Sequence, residues 1–298
     1  MTPALAPPRR VGRWTRFRRS GSNLSALAML GALLALAAAA DLLAPDLPGP
    51  RATGVRFASP NTPSLGERLQ PPSAAHPFGT DGLGRDVLAR LVHGARVTLA
   101  VALGAAALST LLGVLVGLLA ASSLWWLDGL LSRATAALLS IPPLFLVLAV
   151  MGLRGDAGPE QLALVLGCTG WAGVARMVRA EVLRVRTLDF VLAAKALGYS
   201  RARVLGRHVL PNALASTWAS LPFVVASAAF AESALSFLGF GVAPPTPSWG
   251  GLLMQAHEYA VCPGAWWLSL FPGVALFALL AACARLGEGL HEALGVLR

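Results

Sequence analysis

The residues best suited to bind a charged or protein partner lie between positions 176 and 212. This segment holds seven arginines, the only lysine of the chain (Lys195) and His208, against two acids, Glu181 and Asp189. Long apolar runs flank it on both sides. Lipid satisfies neither charges nor irregular backbone, so a polar segment of this length between membrane spans must lie in water. Its positive charge predicts the cytoplasmic side.

Within this segment the sequence predicts two short helices joined by a glycine. Asp189 can cap a helix over residues 190–197, and Gly198 can supply the positive φ that ends it. Ser200 can cap a second helix that runs to Leu210 and meets Pro211 at the start of the next span. We call residues 189–211 the elbow.

The first helix of the elbow carries apolar residues at helical spacing. Val191, Ala194 and Leu197 predict a small ridge that faces a cytoplasmic partner. A basic loop that only fixes topology and contacts lipid headgroups is the alternative that composition alone favours.

Enzymatic chemistry finds no support in the sequence. The single lysine follows Ala193 and Ala194, so the chain has no Walker A loop for ATP. Serines and histidines are scattered without a nucleophile–base arrangement. We expect no catalytic residue and no cofactor, and energy must come from a partner.

A metal site near residue 80 is a minor alternative. His76, Asp81, Asp86 and His93 are ligand types, but their spacing matches no known ligand pattern. The two aspartates are better explained as caps of turns or as partners of Arg85 and Arg90, so no metal is expected.

The composition predicts a membrane protein. Of 298 residues, 56% are hydrophobic and 13% charged, and the mean hydropathy is +0.66, which excludes an ordinary soluble domain. The net charge of +10 could suggest nucleic acid, but the basic residues cluster beside apolar runs, as membrane topology requires. We therefore expect an all-α membrane protein with about six transmembrane helices, in contact with lipid and not with nucleic acid.

The apolar runs divide the chain into four predicted units. An uncleaved first span is preferred to a secretory signal peptide, because its apolar run is about 20 residues long. Six spans place both termini and the elbow in the cytoplasm. The predicted units are a basic N-terminus (1–23), the first span (24–44), an extracytoplasmic loop with an interfacial helix (45–94), and a five-helix core (95–298) that contains the basic loop at 179–211.

Several features of the core are expected to matter. Pro142 and Pro143 interrupt the third span, and Pro222 breaks the fifth. Glu232 either lines a pathway or contacts a partner, or it only caps the outer end of its helix. Trp249 follows a proline-rich stretch and is expected in an outer loop that faces a partner.

The elbow resembles the "EAA" coupling loop of ABC importer permeases. That pattern is EAA, three residues, Gly, and later a hydrophobic residue followed by Leu-Pro. Here Ala193, Ala194, Gly198 and the pair Leu210-Pro211 fit, whereas Leu192 stands in place of the glutamate. The resemblance implies that the elbow, with Asp189 and Lys195, docks on a cytoplasmic ATPase.

Two further stretches are similar to the same family. HPFGTDGLGRDVLARLVHGAR, from His76, and ESALSFLGFGVAPPTPSWG, from Glu232, resemble C-type permeases of dipeptide, oligopeptide and nickel ABC importers. The similarity covers about Leu24 to Leu297. It implies a MetI-like permease of the bacterial or archaeal inner membrane, with a second (B-type) permease, ATP-binding subunits and an extracytoplasmic solute-binding protein as partners. The cargo stays open among peptides, nickel complexes and other solutes.

Other classes of protein fit less well. A secondary transporter should show an internal repeat and paired intramembrane charges, and neither is apparent. A membrane-embedded enzyme would need convergent polar groups within its spans. A receptor or scaffold would leave the elbow unexplained.

Overall fold

The computed structural model describes residues 21–43, 60–121, 125–153, 158–259 and 264–294. Within these ranges most of the chain is helical, a 3-10 turn covers Leu65–Glu67, residues 68–86 and 238–248 are largely irregular, and an isolated bridge pairs Thr80 with Asp86. A π-helical turn covers Leu205–Val209. The helices, numbered in chain order, are α1 (Gly21–Ala38), α2 (Ala40–Leu43), α3 (Val87–Ala120), α4 (Trp125–Ser140), α5 (Pro143–Gly152), α6 (Pro159–Val185), α7 (Asp189–Ala196), α8 (Arg201–Val204), α9 (Leu210–Phe237), α10 (Trp249–Glu258) and α11 (Trp267–Leu294).

The described helices confirm the expected all-α membrane fold. Five of them are long and apolar enough to span a bilayer, and α4 with α5 makes a sixth candidate, bent by 81° at its break. The break falls at Pro142, as predicted. In contrast, Pro222 lies inside an unbroken α9, so the predicted break there is wrong.

The start of α3 differs from expectation. Asp86 accepts a hydrogen bond from the Ala89 amide (2.9 Å) and caps a single helix of 34 residues. Val87 and Val92, expected on a separate interfacial helix, are buried in the protein. The expected boundary at residue 95 therefore lies inside one helix. Trp125 begins α4.

The centre of the bundle is the close packing of α3 against α6. A Cβ at Gly113 would lie 2.5 Å from the Val174 Cβ, and one at Gly117 would lie 2.7 Å from the Ala175 carbonyl oxygen. Only glycine allows the two helices to approach this closely. α6 extends from the fourth apolar run into the basic segment and reaches Val185. It thereby connects the membrane core to the elbow.

The remaining long helices enclose this pair. α9 packs on α3, α6 and α11, and α1 packs on α3 and α11. Asn23 of α1 lies against Gly289 of α11. The predicted basic N-terminus (1–23) lies largely outside the described residues, whereas the predicted outer loop (45–94) is described from residue 60 onward.

Candidate coupling surface and transport groove

The elbow begins directly below α6. α7 starts at Asp189 after Leu188, and no side chain caps it, so the predicted cap is wrong. Asp189 is instead the first helical residue, where its charge favours the positive end of the helix dipole. Lys195 approaches the Arg186 carbonyl oxygen at 3.5 Å, which links α7 back to the end of α6.

Gly198 ends α7 as predicted. Its φ is +79°, a conformation that side chains rarely adopt. The Gly198 amide donates to the Lys195 carbonyl (3.0 Å), and the Tyr199 amide donates to the Ala194 carbonyl (3.2 Å). This pair of bonds is a Schellman motif. It turns the chain sharply toward α8.

The second half of the elbow runs without interruption into the membrane. The Ser200 hydroxyl accepts from the Arg203 amide (3.4 Å) and caps α8, as predicted. The π-helical turn follows, and Leu210 is the first residue of α9. Pro211 occupies the first turn of α9, where a missing amide proton costs nothing, so it continues the helix.

Most of the ridge predicted to face a partner packs inward instead. Val191 and Ala194 are buried against a cluster that includes Val182, Val185 and Val204. They hold the elbow to the bundle and are not available to a partner. Ala193, in contrast, is exposed.

A different apolar face of the elbow is exposed. Phe190, Leu192 and Tyr199 are each between 42% and 48% exposed, and Leu197 is 74% exposed. The Arg203 guanidinium lies 5.5 Å from the centre of the Tyr199 ring. We call Phe190, Leu192, Leu197 and Tyr199 the elbow face. Its leucine at 192 is where the coupling-loop pattern has glutamate.

A second candidate site is a groove between α3, α4, α5, α6 and α9. Its volume is about 660 Å³, and its lining contains no acidic residue, lysine, arginine or histidine. Leu139 and Pro143 contribute from the two sides of the bent helix, and α9 contributes Phe230. The polar groups are hydroxyls, from Ser109, Thr169, Ser220 and Ser227. Such a lining suits a neutral passage.

Glu232 and Trp249, the two residues that the sequence suggested as contacts with the pathway or a partner, do not line this groove. Glu232 is fully buried, and its carboxylate accepts from the hydroxyls of Ser236 (2.8 Å) and Ser233 (3.1 Å). Trp249 is also fully buried, and its indole Nε1 donates to the Leu91 carbonyl (3.0 Å). Both residues lie at the junction of α3, α9 and α10. Trp249 in particular is an internal anchor instead of a loop residue facing a partner.

The acidic and basic residues before α3 form an internal network. His76 Nδ1 lies 2.8 Å from Asp86 Oδ2, and Asp81 pairs with Arg85 (2.8 Å) and Arg90 (3.5 Å). All five side chains are buried. In the described residues no three His, Cys, Asp or Glu side chains are placed to hold a metal. The capping and pairing roles predicted for the two aspartates are confirmed.

One polar contact near the elbow was not predicted. Asp128 of α4 accepts two hydrogen bonds from Arg179 of α6, at 2.6 and 2.9 Å. Asp128 is the only acidic residue between Asp86 and Asp156. This isolation within an apolar region was the available signal that it has a partner.

Comparison with known proteins identifies the family. The family described as "Binding-protein-dependent transport system inner membrane component" matches residues 113–294, more than half of the chain. The chain belongs to this family. It is therefore a multi-pass membrane protein of the transport-permease type, as the three sequence motifs implied.

Two relatives found by sequence agree with this assignment. A putative peptide transport system permease protein of Brucella suis is 41% identical over 79% of this chain and 78% of its own length. The dipeptide transport system permease protein DppC of Bacillus subtilis is 34% identical over 94% of this chain and 83% of its own. Among solved structures, a chain of an amino acid ABC transporter with histidines aligns with 70% of this chain and 92% of its own, at 16% identity and a TM-score of 0.49.

Proposed function

We propose that this permease is one half of the translocation pathway of an ATP-driven importer whose cargo is a peptide. Relatives that match most of the chain carry peptide and dipeptide transport names, which supports this cargo class. Nickel complexes are the second cargo class, because the C-type permeases that the motifs resemble include nickel importers. A second permease and a solute-binding protein complete the assembly.

The elbow face is the proposed docking surface for a cytoplasmic ATPase. The observation that supports it is the two-sided construction of α7: one side is buried in the bundle, and the other exposes apolar side chains. A partner that covered the elbow face would push on a unit already fixed to α6 and α9. ATP hydrolysis is expected on that partner.

The size of the elbow face is adequate for this role. Fully burying one large apolar side chain contributes about 1.5–3 kcal/mol. Completing the burial of four side chains that are roughly half exposed therefore yields on the order of 4 kcal/mol. Shifting a two-state element from 1:99 to 99:1 takes about 5.5 kcal/mol, which is the same order of magnitude. Contacts of Arg201, Arg203 and Arg207 with an acidic groove would add to it.

We infer from the charge around the elbow that it lies in the cytoplasm. Seven arginines and one lysine in residues 176–212 favour the cytoplasmic side, and residues 236–264 contain no lysine or arginine. With six spans both termini are then cytoplasmic, in a bacterial or archaeal plasma membrane.

The cargo assignment is tested by uptake. Cells that lack the chain and cells that express it are compared for energy-dependent uptake of a radiolabelled dipeptide, with ⁶³Ni²⁺ chelate as the second probe. We expect dipeptide uptake to depend on the chain. Nickel uptake without dipeptide uptake would move the assignment to the second cargo class, and dependence of neither on the chain would overturn it.

A further inference from the structure

We propose that the ion pair between Asp128 and Arg179 transmits movement of the elbow to the bent helix that walls the groove. The inference rests on the proposed coupling function and assigns positioning residues within it. The two carboxylate oxygens of Asp128 each accept one hydrogen bond from Arg179. A bidentate pair fixes orientation as well as distance, so it can carry a displacement in a defined direction.

α4 packs on α3 as well as on α6, but almost none of its side chains is buried. Of its sixteen residues, all of them described, only Thr135 is buried. Among the described residues, no other side-chain hydrogen bond leads from α4 to another helix: Ser132 donates to Asp128, and Thr135 and Ser140 donate to carbonyls of α4 itself. The position of α4 against α6 therefore depends strongly on its first turn.

The two ends of α4 lie in two functional regions. Asp128 is in its first turn, beside the part of α6 that leads to the elbow. At the other end, Leu139 lines the groove, and the 81° bend separates it from Pro143 and Leu144, which also line the groove. A displacement of the first turn tilts the whole segment, because a helix of this length moves as a unit.

Arg179 lies on the part of α6 that packs against the elbow. Its neighbours Val178 and Val182 on α6 belong to the buried cluster that holds Val191 and Ala194 of α7. The end of α6 and α7 are thus packed as one body. Force applied to the elbow face reaches Arg179 through apolar packing, and it then reaches α4 through the ion pair.

The chain offers a matched control for this contact. Glu181 and Arg184, also on α6, form a bidentate pair with nearly the same distances, 2.6 and 2.9 Å. That pair lies within one helix and connects no two helices. Its loss removes a bidentate contact of similar geometry near the elbow without separating α4 from α6.

The test uses the complex with its ATPase, second permease and binding protein in proteoliposomes, and it measures dipeptide imported per ATP hydrolysed. Asp128→Asn and Arg179→Gln are expected to capture the ATPase normally but to lower this ratio about fivefold or more, a usual size for coupling between sites. The reversed pair, Asp128→Arg with Arg179→Asp, is expected to restore most of it. Glu181→Gln should leave it unchanged.

The outcomes separate this inference from the proposed function. Single variants with the wild-type ratio, or a reversed pair with no recovery at equal assembly, would overturn the role of the ion pair alone. The same holds if Glu181→Gln is as harmful as Asp128→Asn. Failure of the wild-type chain to capture an ATPase would overturn the proposed function, and this inference with it.

Discussion

Glycines adjacent in sequence have very different roles where α10 enters the bundle. A Cβ at Gly250 would overlap the Ser233 carbonyl oxygen, whereas one at Gly251 would make ordinary contact, 3.4 Å, with the Ser248 hydroxyl. The close approach at Gly250 lets the buried Trp249 reach the Leu91 carbonyl. The motif from Glu232 to Gly250 is therefore explained by packing between α9 and α10.

This difference predicts a stability effect. Gly250→Ala forces two helices apart and should cost about 1–3 kcal/mol, the usual range for overpacking. Gly251→Ala should be nearly neutral. Thermal unfolding in detergent measures both. Equal stability of the two variants would contradict the packing described for α10.

Gly198 allows a similar test at the elbow. Alanine at φ +79° should cost about 1–2 kcal/mol of local stability, since the left-handed conformation crowds Cβ. Gly206, in open space with an ordinary φ, is the control. We expect Gly198→Ala to speed proteolysis between α7 and α8, and Gly206→Ala to leave it unchanged. Equal proteolysis would exclude a structural role for the turn.

Sequence could identify some residues better than others. Gly198 and Ser200 were recognisable because positive φ and helix capping have strong local preferences. The buried side of α7 could not be recognised from the sequence, because Val191 and Leu192 are both apolar. Only the neighbouring helices decide which of the two packs inward. Trp249 was misplaced for the same reason: its partner, the Leu91 carbonyl, is distant in sequence.

Elements were largely predictable from apolar runs. Five long spans and the break at Pro142 follow from length and helix-breaking chemistry. Proline was a poorer guide to helix breaks at two other positions. At Pro222 the surrounding packing preserves the helix, and at Pro211 the proline lies in a first turn. The bidentate contact between Asp128 of α4 and Arg179 of α6 could not be predicted without knowing the fold.

The π-helical turn between α8 and α9 yields an element-scale prediction. Wider turns of this kind are frequently functional. Deleting Gly206 removes one residue from this wide turn and should change the orientation of the elbow relative to α9. We expect ATPase capture to be lost while the chain still assembles with the second permease. Gly206→Ala keeps the residue number and is the control; capture by the deletion variant would show that the elbow's orientation does not matter.

At the scale of the whole molecule, the proposed orientation in the membrane rests on charge and can be tested directly. Leu65 (68% exposed) precedes α3, and Leu197 (74% exposed) lies on the elbow, at opposite ends of an odd number of proposed spans. In a background without cysteines, Leu65→Cys should react with an impermeant maleimide added to intact cells, and Leu197→Cys only after lysis. The reverse pattern would contradict the cytoplasmic elbow.

Capture of the ATPase is the most direct test of the whole account. The native chain, Leu197→Asp and Leu65→Asp are each purified in detergent with the second permease and the ATP-binding subunits. A charge on the elbow face should abolish capture of the ATPase but not of the second permease, and the equally exposed Leu65 should tolerate it. Undiminished capture by Leu197→Asp would contradict the assignment of the elbow face as the coupling surface.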